Sequence, residues 1–250
     1  MSESPEHRLA WIGPDDDFPQ SDLAWTDEMG ANGLLGAGDQ LTSALLKRAY
    51  ARGIFPWSGP SEPILWWSPN PRMVLQTKDF KQRRSLTQAI RQAQAEGFML
   101  KSDTAFQSVM RGCAAPRDEH GGTWITTAIQ SAYQDLHKQG LAHSIELWHG
   151  HQLVGGLYLV CLGQMVFGES MFSRRPNASK VCLAGLVRWL ERHDCPLIDC
   201  QQETPHLATL GARPIPRAEF ESCVARLTNA PGPPWATEPL DWGVFRGHDA

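Results

Sequence analysis

Two short segments hold the side chains best suited to chemistry. The first is LIDCQ, in which Asp199 and Gln201 alternate with Ile198 and Cys200. On a strand, Asp199 and Gln201 share one face and Ile198 and Cys200 the other. Two polar groups on one face of an otherwise apolar strand must find partners or line a cleft. Asp199 therefore either braces a neighbouring element or pairs with Gln201 at a strand end as part of a functional site. The second segment is FGESMFSRRPNASK. Alternation places Glu169 on the side of Phe167 and Met171, where a carboxylate is costly unless it is paired or used; the other reading is a structural bulge with a satisfied Glu. Gly155 and Gly156, expected on the neighbouring strand, leave room for a ligand or for another backbone. Arg174, Arg175 and Lys180 surround Asn177, facing either a charged chain or water.

Aromatic and basic residues add two further candidates. Trp57, Trp66 and Trp67 cluster in a proline-rich stretch, and Trp124 opens TWITT. Most tryptophans serve packing, but a few at a lobe junction form an apolar pocket or stack on a base. From Lys78 to Arg91 the chain carries Lys78, Lys81, Arg83, Arg84 and Arg91 against one acid, Asp79. That run reads as a solvated helix face or as a phosphate-contacting patch. Other chemistries find no support. Gly36-x-Gly38 lacks the spacing of a P-loop or dinucleotide fingerprint, and no Gly-x-Ser-x-Gly elbow is present. The six cysteines form no CxxC pair and the nine histidines no HExxH, so neither a metal nor a disulfide framework is expected.

The elements that must position these residues follow from periodicity. LTSALLKRAYARG has apolar Leu41, Ala44, Leu45 and Ala49 at helical spacing and ends at Gly53, a natural helix stop. Pro56 to Pro71 reads as loops and edge segments, which makes residues 1–72 a small N-terminal lobe with one helix. Helices are predicted over Ser85–Ala95, from Thr104 to Met110, and over Thr126–Gln139 with Gly140 closing it. HSIELWHGHQLVGGLYLVCLGQMVFGESMF then reads as three strands broken at His149-Gly150-His151 and Gly163-Gln164. A helix over Ser179–His193 and the short strand LIDCQ complete an α+β layer structure over residues 73–228. The proline-rich residues 229–250 show too little periodicity for core and read as an extended tail.

A chain of 250 residues with 42% hydrophobic and 20% charged side chains has the balance of a globular protein with a sizeable core. It contains no apolar run of the roughly 18 residues a membrane helix needs. Its first residues lack the pattern of a secretory signal, so a cytoplasmic protein is expected. The net charge of −4 argues against indiscriminate nucleic-acid binding, although it hides the local basic run.

Eleven ordered blocks carry a resemblance that spans nearly the whole chain. They are FPQSDLA, GLLGAG, AYARGIFPW, PILWWSPNPR, GTWIT, AY-x-x-LH-x-x-G-x-AHSIE, LVGGLY, FGESMFS, NASK, LIDCQ and HLATLGA-x-x-IPR. In these the sequence resembles the leucyl/phenylalanyl-tRNA–protein transferase family. The resemblance implies a small N-terminal domain joined to a domain related to the acetyltransferase (GNAT) fold. It also implies transfer of leucine or phenylalanine from aminoacyl-tRNA to proteins beginning with Arg or Lys, marking them for degradation. Asp199 and Gln201 become the catalytic pair, with Asp199 polarising Gln201 and Gln201 holding the attacking amine. Trp57, Trp124, Tyr133, Glu169, Ser170, Ser173 and Asn177 fall to the aminoacyl-adenosine end, and Lys81, Arg83 and Arg84 to the tRNA backbone.

No cofactor is implied. SRRPNASK lacks the Gly-rich loop with which acetyltransferases hold coenzyme A, so a coenzyme A-dependent acyltransferase is disfavoured. Two segments depart from the family pattern: GDQLT stands for GGDLS at Gly38–Thr42, and SPNPR for SPDPR at Asn70. An RNA-binding module without catalysis is the alternative reading. Nothing in the sequence specifies an oligomer, and a monomer is the default.

Overall fold

The computed structural model describes residues 9–59, 62–115, 123 and 125–246. The N-terminal part builds a four-stranded sheet from β1 (Ala10–Trp11), β2 (Leu34–Gly38), β3 (Phe55–Pro56) and β4 (Ile64–Trp67), ordered β1-β2-β4-β3. Helix α1 (Ser43–Tyr50) lies between β2 and β3. Its start is set by Thr42, whose hydroxyl accepts from the Leu45 N–H at 3.1 Å. Its end is set by Gly53, which takes a φ of +71° as the chain leaves for β3. Leu45, Leu46, Ala49 and Tyr50 all face inward. Proline density misleads here, because β4 lies between β2 and β3 and is not an edge strand.

The remaining elements are β5 (Arg72–Gln76), α2 (Arg84–Ala95), β6 (Met99–Ser102), α3 (Phe106–Ala114), α4 (Thr127–Lys138), β7 (Ala142–His149), β8 (Gln152–Leu162), β9 (Met165–Ser173), α5 (Ala178–Arg192), β10 (Leu197–Gln201), α6 (Pro205–Thr209), β11 (Arg213–Ile215) and α7 (Arg217–Leu227). Seven strands form one sheet in the order β11-β5-β10-β9-β8-β7-β6. β7, β8 and β9 are the expected antiparallel meander, whereas β10 joins β9 in parallel. α1, α3, α4 and α7 pack one face of the sheet, and α2 and α5 the other. Covering both faces explains why β8 reads as a nearly continuous apolar run. Tyr158, Val160 and Leu162 enter the first core, and Leu157, Leu159 and Cys161 the second.

The C-terminal stretch is not idle, which corrects the reading of residues after 229 as outside the core. Leu240 and Val244 are buried at 1% and 3% exposure. Trp189 donates its indole N–H to the Glu238 carbonyl at 3.1 Å, and Trp242 to the Phe98 carbonyl at 2.7 Å. The guanidinium of Arg192 gathers the carbonyls of Gly243, Val244 and Arg246 at 2.8–2.9 Å. Proline density breaks the periodicity that marks a packed segment, but single apolar anchors dock the strap all the same.

Candidate active site

β9 and β10 run side by side only from Met165–Phe167 against Leu197–Asp199. Beyond that point each carries an irregularity. On β10 the register against β5 shifts between Asp199 and Gln201, leaving Cys200 as the extra residue, and Gln201 takes a φ of +63°. On β9 the register against β8 shifts between Gly168 and Ser170, leaving Glu169 unpaired. Bulges of this kind re-aim side chains. Met171 accordingly packs into the core beneath α5, while Phe167 joins the opposite core, so the expected common side for Phe167, Glu169 and Met171 is not realised.

The bulges bring Gln201 and Glu169 together. The Gln201 amide donates from Nε2 to Glu169 Oε1 at 3.0 Å. Glu169 Oε1 also accepts from the Tyr50 hydroxyl at 2.6 Å, and Oε2 lies within hydrogen-bond distance of the Tyr133 hydroxyl, at 3.0 Å. The two phenols also touch each other. Tyr50 ends α1 and Tyr133 sits within α4, so helices far apart in the chain supply part of the site. Glu169 is half-buried, and burial pushes its carboxyl up to about 7. The phenol hydrogen bonds and the charge of Arg72 counter that rise, while Asp199 adds to it. Burial, followed by the nearby Glu169 charge, raises both phenols well above their ordinary range.

Asp199 proves to be a brace. It is fully buried and meets Arg72 side-on, with Nε to Oδ1 at 2.8 Å and Nη2 to Oδ2 at 2.6 Å. Arg72 is also fully buried, its guanidinium 4.6 Å from the ring centres of both Phe55 and Phe220. Asp199 Oδ1 accepts in addition from the backbone N–H of Gln201 at 2.8 Å. The link between Asp199 and Gln201 therefore runs through the main chain, and the expected polarisation of the Gln201 side chain by this carboxylate is not what the contacts provide. What Asp199 does is hold the left-handed turn that aims Gln201. Arg72 and Tyr50 went unremarked at the sequence level. The available signal for Arg72 was a lone cation inside the apolar run RMVL, which needs a buried acid as partner.

An apolar cleft of about 130 Å³ opens where β9 and β10 part, lined by Met171, Leu183, Leu186, Ile198 and Leu207 together with Glu169 and Asp199. Ser170 lines it as well. Burial raises the Cys200 thiol well above its ordinary range, which leaves it unsuited as a thiolate nucleophile. Ser173 lies farther off, about 13 Å along β9 from Glu169 at an ordinary strand rise. It accepts from the Ser179 N–H at 2.9 Å and so ties down the start of α5. Asn177 is exposed at the same helix start with a φ of +63°. Gly155 and Gly156 leave no ligand space, because a Cβ at Gly155 would meet Ala178 at 2.5 Å and one at Gly156 the Phe172 ring at 3.0 Å.

Of the tryptophans, Trp66 is core, whereas Trp57 is 42% exposed with its ring edge-on to Trp67 at 5.8 Å. Trp124 lies outside the described residues. Lys81, Arg83 and Arg84 are all exposed where the chain enters α2. Among the described residues, no three His, Cys, Asp or Glu side chains gather as a metal site. Among the same residues, no helix is long and apolar enough to cross a membrane.

A family model described as leucyl/phenylalanyl-tRNA protein transferase matches residues 74–225, and one for the N-terminal domain of the same proteins matches residues 39–70. The chain belongs to this family. It is 51% identical to the leucyl/phenylalanyl-tRNA–protein transferase of Bordetella avium (strain 197N) over 234 residues, covering 91% of this chain and 92% of that protein. It is 53% identical to the Thiobacillus denitrificans transferase of the same name over 214 residues, covering 86% and 91%. Among solved structures, L-PGS from Bacillus licheniformis is similar at a TM-score of 0.41 and 11% identity, over 72% of this chain and 56% of that one. That likeness is too low to carry an argument.

The family's two departures in this chain acquire structural meanings. Thr42, which stands in GDQLT, caps α1. Asn70, the expected departure in SPNPR, accepts from the Arg217 N–H at 3.1 Å and exchanges hydrogen bonds with Asn32. A neutral carbonyl suffices for those partners.

Proposed function

We infer that this member of the transferase family moves a leucyl or phenylalanyl group from aminoacyl-tRNA to the α-amine of a protein's N-terminus, with acceptors beginning in Arg or Lys. The observation that carries the reading is that Gln201 is held at two points beside Glu169, a residue that lines the apolar cleft. Its backbone N–H is held by Asp199 and its Nε2 by Glu169, while no described protein donor meets its Oε1. That carbonyl oxygen accepts an N–H of the incoming amine and turns the nitrogen lone pair toward the ester carbon. The C–N bond forms, the ester C–O bond breaks, and the ribose oxygen departs with a proton. An aminoacyl ester is already activated, so positioning supplies most of what the enzyme must add. The cleft fits a branched or aromatic apolar side chain and refuses a charged one through desolvation. It separates apolar side chains of similar size only weakly.

The remaining assignments follow from this reading. Trp57, with Trp124, stacks the terminal adenosine, and Tyr133, Glu169 and Ser170 frame the aminoacyl group. Ser173 and Asn177 act at one remove, through the start of α5. Lys81, Arg83 and Arg84 meet the tRNA backbone. The chain divides into a small lobe (1–72) and an acetyltransferase-like (GNAT) domain (73–228), with the strap from 229 docked on the latter. The meander and parallel-then-parting β9 and β10 support that fold. The enzyme works as a monomer in the cytoplasm, uses no cofactor, and marks its acceptors for degradation.

Single-turnover transfer with Gln201→Ala tests the arrangement. A fall of about 10²-fold or more in rate with unchanged tRNA affinity is expected for a residue that positions the nucleophile. A rate near wild type would remove Gln201 from the mechanism.

A further inference from the structure

Glu169, Tyr50 and Tyr133 form a closed ring of three oxygen–oxygen contacts. An ionised Glu169 leaves only two O–H hydrogens, those of the phenols, to fill it. One contact would then join two oxygens with no hydrogen between them, in a site where bare oxygens repel. Neither phenol can be the missing acid, since losing a phenol hydrogen would deepen the deficit. A hydrogen on Glu169 Oε2 closes the count. Oε2 donates to Tyr133, Tyr133 to Tyr50, and Tyr50 to Oε1. Oε1 keeps a lone pair for the Gln201 amide at 3.0 Å.

The surroundings support this count. The titratable groups near Glu169 are Tyr50 on α1, Tyr133 on α4, Tyr158 on β8, Asp199 on β10 and Arg72 on β5. The one cation among them, Arg72, is already matched side-on by Asp199. No unbalanced positive charge is left to hold Glu169 ionised. We propose that Glu169 works as a neutral carboxylic acid, a positioning residue whose three-hydrogen ring with Tyr50 and Tyr133 fixes the Gln201 amide by its Nε2 and leaves the amide oxygen to meet the incoming amine. This rests on the transferase reading above.

The test exploits the chemistry of an amide, which is the neutral isostere of a carboxylic acid. In Glu169→Gln, the new carbonyl can accept from Tyr50 and Gln201 while its N–H donates to Tyr133. In Glu169→Ala the ring is broken and Gln201 is released. Single-turnover transfer to a peptide with N-terminal Arg should fall about 10²-fold in Glu169→Ala. Glu169→Gln should recover at least about tenfold of that loss, as a neutral hydrogen-bonding replacement does. The wild-type rate, divided by that of Glu169→Gln to cancel titration of the acceptor amine, should decline as pH rises past about 7. Equal loss in both folded variants, or a ratio that rises with pH, would overturn the proposal in favour of an ionised carboxylate. An infrared carbonyl band of a protonated carboxyl, present below pH 7 and missing from Glu169→Gln, reads the same state without turnover. Its absence would sink the neutral acid. Failure of the wild type to transfer at all would instead count against the transferase reading.

Discussion

Asp199→Asn separates a brace from a reagent. The substitution keeps the shape of the side chain but removes its charge and replaces one acceptor oxygen with an NH₂ group. Arg72 donates through Nε and Nη2, and the Gln201 backbone adds a third donor. Asparagine can accept on one atom only, so its NH₂ must face a guanidinium N–H. Arg72 has no route to water, with 0% exposure, and its Nη1 already lacks a described partner. Removing one partner of a buried pair typically costs about 3–5 kcal/mol, much of it from the charge left behind. That is a large part of the roughly 5–15 kcal/mol by which a domain is stable. Urea unfolding followed by tryptophan fluorescence should therefore show a shifted midpoint with an unchanged slope. Transfer should fall as well, because the turn carrying Gln201 loses its tether. The double variant Arg72→Met/Asp199→Leu should be less destabilised than either single loss, since no lone charge remains. If Asp199→Asn unfolds within about 1 kcal/mol of wild type and still abolishes transfer, the carboxylate acts chemically and the brace argument fails.

Three further outcomes are expected. Glu169 is a carboxyl moved from 4.5 to about 7, and the folded state therefore holds its proton more tightly than the unfolded chain does. The stability it contributes is full below pH 4.5 and is lost as pH rises toward 7, by about 3 kcal/mol at most. Chemical denaturation across that window should show this loss relative to Glu169→Gln, and parallel curves would contradict it. Replacing Lys81, Arg83 and Arg84 with Gln should weaken tRNA binding and lower the salt dependence by about 2–3 in log–log slope, as loss of three phosphate contacts requires. An unchanged slope would leave those residues as a solvated face. Ending the chain after Asn229 removes the buried Leu240 and Val244. At about 1.5–3 kcal/mol each, thermal unfolding should drop by several degrees, whereas no change would return the strap to an idle tail.

Helices and the meander were readable because their apolar spacing is regular and, α5 apart, their ends carry glycines or capping threonines. α1, α2, α4 and α5 fall within a residue or two of where periodicity puts them. β2 and β4 were not, since Gly36 and Gly38 weaken one as a strand signal and the surrounding prolines mask the other. In the site, Asp199, Gln201 and Glu169 were singled out by a physical rule, that polar groups amid apolar strands need partners. The partners themselves were out of reach. Arg72 lies 127 positions before Asp199, and Tyr50 lies 119 before Glu169, so only the folded topology joins them. The bulge at Glu169 was one of the two readings open there, whereas the one at Cys200 escaped for a similar reason. Strict alternation assigns faces correctly until an extra residue enters the strand, and nothing local announced Cys200 as that residue.

The most direct test of the account is transfer of labelled leucine or phenylalanine from charged tRNA to two peptides that differ only in beginning with Arg or Ala. The account predicts a labelled product with the Arg peptide, none with the Ala peptide, and loss of the product in Gln201→Ala. Retained tRNA binding with no transfer to either peptide would contradict it and leave an RNA-binding protein on a transferase scaffold.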